Sequence, residues 1–109
     1  MGEIGASHAV TNEDCEKLIS DAETERAMAC LDIQRKLVSL ELIDAYQDKL
    51  KALPKKDRSN LISAQKSWEA TLNSCANNFI IEMESDYLNV MSCEIEKIRE
   101  RRIELKAKN

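Results

Sequence analysis

Apolar residues recur three and four positions apart along most of the chain, the spacing of one face of a 3.6-residue helix. The clearest run places Leu61, Ala64, Trp68, Leu72, Cys75 and Phe79 on one side and Lys66, Glu69, Asn73 and Asn77 on the other. It predicts a helix over residues 58–77 with Trp68, the sole tryptophan, in the middle of its buried face. A ring that buries roughly 150–250 Å² dominates a small core, so Trp68 is expected to be core and not a ligand platform.

Upstream, Ser20 followed by Glu23 has the form of a capping box and predicts the start of a long helix over residues 21–53. Pro54 disfavours helical geometry in the residue before it and should stop that helix. Met28, Leu31, Val38, Leu42, Ala45, Tyr46, Leu50 and Leu53 make its main stripe. A second stripe of Cys30, Ile33, Leu37 and Leu40 lies on roughly the opposite side of its first half. Either another segment covers that stripe or it is exposed; the nearest cover is a helical turn over residues 12–19 carrying Cys15, Leu18 and Ile19. Thr11 to Asp14 supplies capping chemistry for that turn. A third long helix, capped by Ser85 or Asp86 and reaching about residue 106, has Tyr87, Leu88, Met91, Ile95, Ile98, Leu105 and the stem of Arg102 on its apolar side. Residues 1–11 have no pattern and read as a flexible arm ahead of one helical domain over residues 12–109.

Composition agrees with helices. Two glycines and one proline in 109 residues are too few for a turn-rich β fold. The expected fold is all-α, a disulfide-stapled antiparallel three-helix bundle with a short N-terminal helical turn, since short connections make neighbours antiparallel. Its expected core includes Trp68, Leu72, Tyr46, Leu42 and Ile98. No run of 18 apolar residues exists, so no transmembrane segment is expected.

Cysteine usage bears on compartment. Cys15, Cys30, Cys75 and Cys93 are even in number, with no Cys-x-x-Cys pair and a single histidine, His8, in the arm. That spacing is poor for zinc, and neither a metal nor a cofactor is expected. Two disulfides in an exported protein fit better, with four reduced core thiols as the alternative. A Cys15–Cys30 bridge would hold the first turn against the second stripe. A Cys75–Cys93 bridge needs the chain to reverse between Asn77 and Ser85; if the helix ran straight through, that pairing could not form. No charged-then-apolar leader is visible, and Met1–Gly2 reads as a start placed on a trimmed mature chain. Periplasmic or secreted localisation is therefore inferred from sulfur alone.

Net charge is −4, which argues against a nucleic-acid partner, but the distribution is uneven. Acids crowd the first third of the chain and residues 82–96, whereas residues 97–109 are basic. Catalytic patterns are missing: there is no Gly-rich phosphate loop, no Gly-x-Ser-x-Gly and no His-Glu-x-x-His. Arg99, Arg101 and Arg102 are expected to complement the end of their helix and to pair with Glu96 and Glu104.

Cys30, Tyr46, Gln65-x-x-Trp68, Cys75, Cys93 and Arg101-x-x-Glu104-Leu105, in that order, resemble the LprI-type family of small exported bacterial proteins, whose namesake is described as a lysozyme inhibitor. The likeness spans residues 14–105. It departs at Leu72 and Ile98, where members often carry arginine and threonine, and in lacking glycines between the last two cysteines. The resemblance implies a disulfide-bonded, all-helical envelope protein with no catalytic residues to carry over, and it points to lysozyme inhibition. On that reading the protein is not an enzyme and docks an acidic surface on a basic cell-wall hydrolase. The candidate contacts are Glu82, Glu84 and Asp86, then Glu23 and Glu25. An immunity protein against an exported toxin is the alternative. So is an envelope adaptor or homodimer built on the Ile33–Leu37–Leu40 stripe.

Overall fold

The computed structural model describes residues 12–78 and 81–107. Four helices follow in order: α1 (Asn12–Ser20), α2 (Thr24–Ala52), α3 (Lys55–Asn77) and α4 (Glu84–Lys106). Among the described residues there is no strand, and the fold is an all-α, disulfide-stapled helical bundle. The arm, with His8 and Thr11, and Phe79 in the α3–α4 connection lie outside the described residues.

Local chemistry sets each boundary, and it corrects three expectations. No capping box forms at Ser20, because α1 continues through it. Helix α1 ends on a Schellman motif instead: Glu23 N–H donates to Leu18 O (2.9 Å) and Ala22 N–H to Ile19 O (3.1 Å). Ala22 takes φ 61° there, a left-handed conformation that costs an L-residue about 1 kcal/mol and is usually left to glycine. Glu23 becomes the residue before α2, held by Arg26 at 2.8 Å.

The stop before Pro54 holds as expected. Leu53 is extended (φ −79°, ψ 146°), and α3 starts at once at Lys55, three residues earlier than the periodicity suggests. At α4 neither Ser85 nor Asp86 is the N-cap; Met83 is. Asp86 sits three residues in, and its Oδ2 accepts hydrogen bonds from the backbone N–H groups of Glu82 (2.8 Å) and Met83 (2.9 Å).

Packing centres on α2 and α4, which run in the same direction. Arg35 in the first half of α2 reaches Glu94 at the middle of α4 (3.1 Å), whereas Ala45 and Lys49 further along α2 share a shallow hollow with Leu105 and Lys106 at the end of α4. Leu31, Val38, Leu42 and Ala45 of α2 are buried with Leu88, Ile95, Ile98 and Leu105 of α4. Helix α1 lies on one flank of this pair, where Glu16 and Ile19 approach Ser92, Ile95 and Arg99. Helix α3 lies on the other flank and runs antiparallel to α4, joined by Cys75–Cys93 and by Arg101 to Gln65.

Burial refines the stripes. Ala64 and Tyr87, both assigned to apolar faces, are exposed, while Gln65 is buried. Helix α1 covers Cys30 but extends no further along the second stripe. Ile33, Leu37 and Leu40 stay 45%, 43% and 64% exposed. Cys15, which fixes α1 to Cys30, lies only three residues from the start of α1, so most of that helix lies toward the start of α2 and not along the stripe to Leu40.

Candidate binding surfaces

The disulfides define the rigid parts of the molecule. Cys15–Cys30 joins α1 to α2 with Cα atoms 5.5 Å apart, and Cys75–Cys93 joins α3 to α4 at 5.7 Å. Both pairings are those expected from the sequence, and the chain does reverse between α3 and α4. Cys15 and Cys75 are wholly buried, so each bridge also serves as core.

Two arginines of α4 fix the register of its neighbours. Arg99 Nη2 donates to Gln34 Oε1 of α2 (2.9 Å), and Arg101 Nε donates to Gln65 Oε1 of α3 (2.8 Å). Gln34 and Gln65 are the buried polar residues among those described, and a charge-assisted bond offsets the desolvation of each amide. Arg101 also pairs with Glu104 as expected (3.1 Å). Glu96 makes no ion pair among the described residues, so Arg99 spends its donors on Gln34 instead. Sequence reading put these arginines at a solvated helix end because a buried glutamine has no periodic signature.

The proposed acidic contacts divide into free and occupied groups. Glu82 and Glu25 are exposed, and the side chain of Glu84 lies outside the described residues. Glu23 is engaged by Arg26. Asp86 organises the start of α4, and its two backbone hydrogen bonds hold its carboxyl below the ordinary value of 3.8. Because that folded value is depressed, the stabilisation it gives is complete above pH 3.8 and fades as pH falls through the lowered value. Asp86→Ala should therefore melt earlier than the parent at neutral pH, and the gap should narrow below pH 3.8; a gap of constant size down to pH 2 would assign Asp86 another role. Glu96 and Glu100 are exposed and make no ion pair among the described residues; with Lys97 and Asn78 they line a shallow hollow beside Cys93. Glu16 of α1 lies across from Glu96. Glu16, Glu96 and Glu100 outnumber Lys97 and Arg99 beside them and form an edge of net acidic charge that a linear reading did not assemble.

On the α3 side the structure departs most from expectation. Leu42 and Ile98 are buried core, as expected, but Tyr46, Leu72 and Trp68 are only half-buried. They line an open groove of about 590 Å³ between α2 and α3, with Ile98 of α4 in its lining. Ile43 and Ile62 project from its walls, 51% and 39% exposed.

Stapled helices, an acidic edge and an open apolar groove describe a small all-α disulfide-bonded protein with surfaces suited to contact. Compared with protein-family models, with curated proteins and with solved structures, the chain matches none.

Proposed function

We propose that this chain is an exported, non-catalytic binding protein that inhibits a basic cell-wall hydrolase of the lysozyme type by docking its acidic edge on the enzyme. The observation carrying this reading is the placement of Glu96 and Glu100 in the hollow beside the Cys75–Cys93 bridge, with Glu16 across from Glu96. A surface pinned by a disulfide loses little conformational freedom on binding, and free carboxylates attract a cationic enzyme at long range. The bridges themselves favour an oxidising compartment, periplasmic or secreted. The residue pattern shared with LprI-type proteins supports the choice of target.

At about tenfold molar excess the oxidised protein should block lysozyme-driven clearing of a bacterial suspension. Protection should weaken in high salt, where attraction between exposed charges is screened. Glu96→Lys with Glu100→Lys should reduce it further without changing the melting curve. Undiminished clearing at low salt would remove the hydrolase reading. A second reading, an envelope adaptor, draws on the uncovered Ile33 and Leu37 of α2.

A further inference from the structure

We propose that the end of the bundle where α2 turns into α3 and α4 finishes is a basic pole that seats the protein on an anionic phospholipid surface. The proposal is independent of the hydrolase reading, since it concerns other residues and a different partner.

Three separate segments build the pole. Lys49 and Lys51 lie in the last turn of α2, Lys55, Lys56 and Arg58 in the first turn of α3, and Lys106 at the end of α4. One shallow hollow holds Lys49, Leu53 and Lys106 together. Arg58 donates from Nε to Leu53 O (3.3 Å), so the six cations surround the α2–α3 turn. None of them makes an ion pair among the described residues. Against them stand Asp48 and Asp57, which leaves an excess of four positive charges on a chain whose net charge is −4. Glu104 adds nothing, because Arg101 neutralises it (3.1 Å).

Helix stability accounts for only half of this pole. Lys49, Lys51 and Lys106 sit at helix C-termini, where the macrodipole favours cations. Lys55 and Lys56 are the first two residues of α3, at the end of a helix where the same dipole disfavours them. Cations held against the local field point to a partner outside the chain. The far end of the molecule has the opposite sign. There, about 43 Å along α2, Asp21, Glu23 and Glu25 stand at the same end as Glu82 and Asp86 of the α3–α4 reversal. A molecule polarised in this way is turned basic end first toward an anionic surface.

The chemistry of the pole selects lipid among polyanions. Five of the six cations are lysines, flexible point charges without the planar fork by which arginine reads one shaped anion. They suit a fluid array of phosphates. Between them Ala52, Leu53 and Ala107 present small apolar surfaces that can settle at headgroup level while the lysine heads reach phosphate. A single-stranded nucleic acid would need an aromatic platform for its bases, and Tyr46, the nearest aromatic in the chain, lines the α2–α3 groove instead.

Cosedimentation of the oxidised full chain with sucrose-loaded vesicles tests the pole. Vesicles one-third phosphatidylglycerol in phosphatidylcholine should carry the protein down at low salt, and pure phosphatidylcholine vesicles should not. About 1 M salt, which shortens the screening length to about 3 Å, should release it. Each basic residue near an anionic surface raises partition about fivefold, so Lys106→Gln should cost about that factor and Lys55→Glu with Lys56→Glu about 25-fold or more. This last variant should melt no lower than the parent, because it places anions at the start of α3. Lys17→Glu with Lys66→Glu makes the same change in net charge away from the pole and should shift partition by less than about threefold. The proposal is overturned if the parent ignores anionic vesicles at low salt, if Lys106→Gln keeps full partition, or if the Lys17/Lys66 control loses as much as the pole variant. It is equally overturned if a DNA duplex at equal phosphate strips the protein from the vesicles, which would make nucleic acid the partner.

Discussion

Replacing Cys75 and Cys93 with alanine should lower stability by about 3 kcal/mol, the loop-closure entropy that a bridge of this span removes from the unfolded chain. For a domain of this size that is a fall in melting temperature of more than about 10 °C. Removing this bridge should cost more than removing Cys15–Cys30, although the two spans, 18 and 15 residues, are alike. The reason lies in what remains. Only Leu61, Gln65 and Cys75 of α3 are fully buried, and its contact with α2 is an open groove. Without the bridge, α3 is held by the Arg101–Gln65 hydrogen bond and the partial burial of Trp68 and Leu72. Without Cys15–Cys30, the damage stays local. Nine residues of α1 are too few to persist alone, but the α2–α4 core they leave is complete. Thermal melts of the two double-alanine variants decide this. A Cys75/Cys93 variant melting within a few degrees of the parent would contradict the argument. Thiol titration of the unfolded parent without reductant should find no free sulfhydryl; four would remove the bridges and the exported compartment together.

Helices, the boundary at Pro54 and the Cys15–Cys30 pairing were legible in the sequence because each depends on local spacing or on the rigidity of one residue; Cys75–Cys93 was legible only given a reversal between Asn77 and Ser85 that no glycine or proline imposes. Pro54 constrains Leu53 whatever surrounds it. The start of α2 was not legible, because Ser20-x-x-Glu23 satisfies a capping pattern equally well inside the last turn of α1. Tertiary packing chose the Schellman ending at the cost of a left-handed Ala22. The same limit explains Ala64 and Gln65. They lie about 100° apart on α3, and only the position of Arg101 on a distant helix turns Gln65 inward. Trp68 shows the limit at the level of function. Its place in a periodic stripe foretold that it faces the bundle, and periodicity carries no information on whether the facing space is filled. The acidic edge was hidden for a related reason. Glu16 and Glu96 are eighty positions apart in the chain, and α1 brings them together only because Cys15–Cys30 fixes it to that flank.

The cost of emptying that space is expected to invert the order that side-chain size suggests. Ile98→Ala should destabilise the protein by about 3 kcal/mol, because Ile98 is 4% exposed and lies where the α2–α4 core meets the α3 groove. The backbone has little freedom to close the void: Leu42 is already part of the same packed layer, and α3 is tied in place by its bridge and by Arg101. Trp68→Ala removes far more volume. Fully buried tryptophans cost about 3–5 kcal/mol on truncation, but Trp68 is only partly buried where it lines the open groove, so a loss of about 2 kcal/mol is expected. Denaturant unfolding of dilute protein measures both losses directly. Ile98→Ala falling further than Trp68→Ala places the core between α2 and α4, as the burial pattern requires. The reverse order would mean that α3 closes over Trp68 and that the groove is not open in solution.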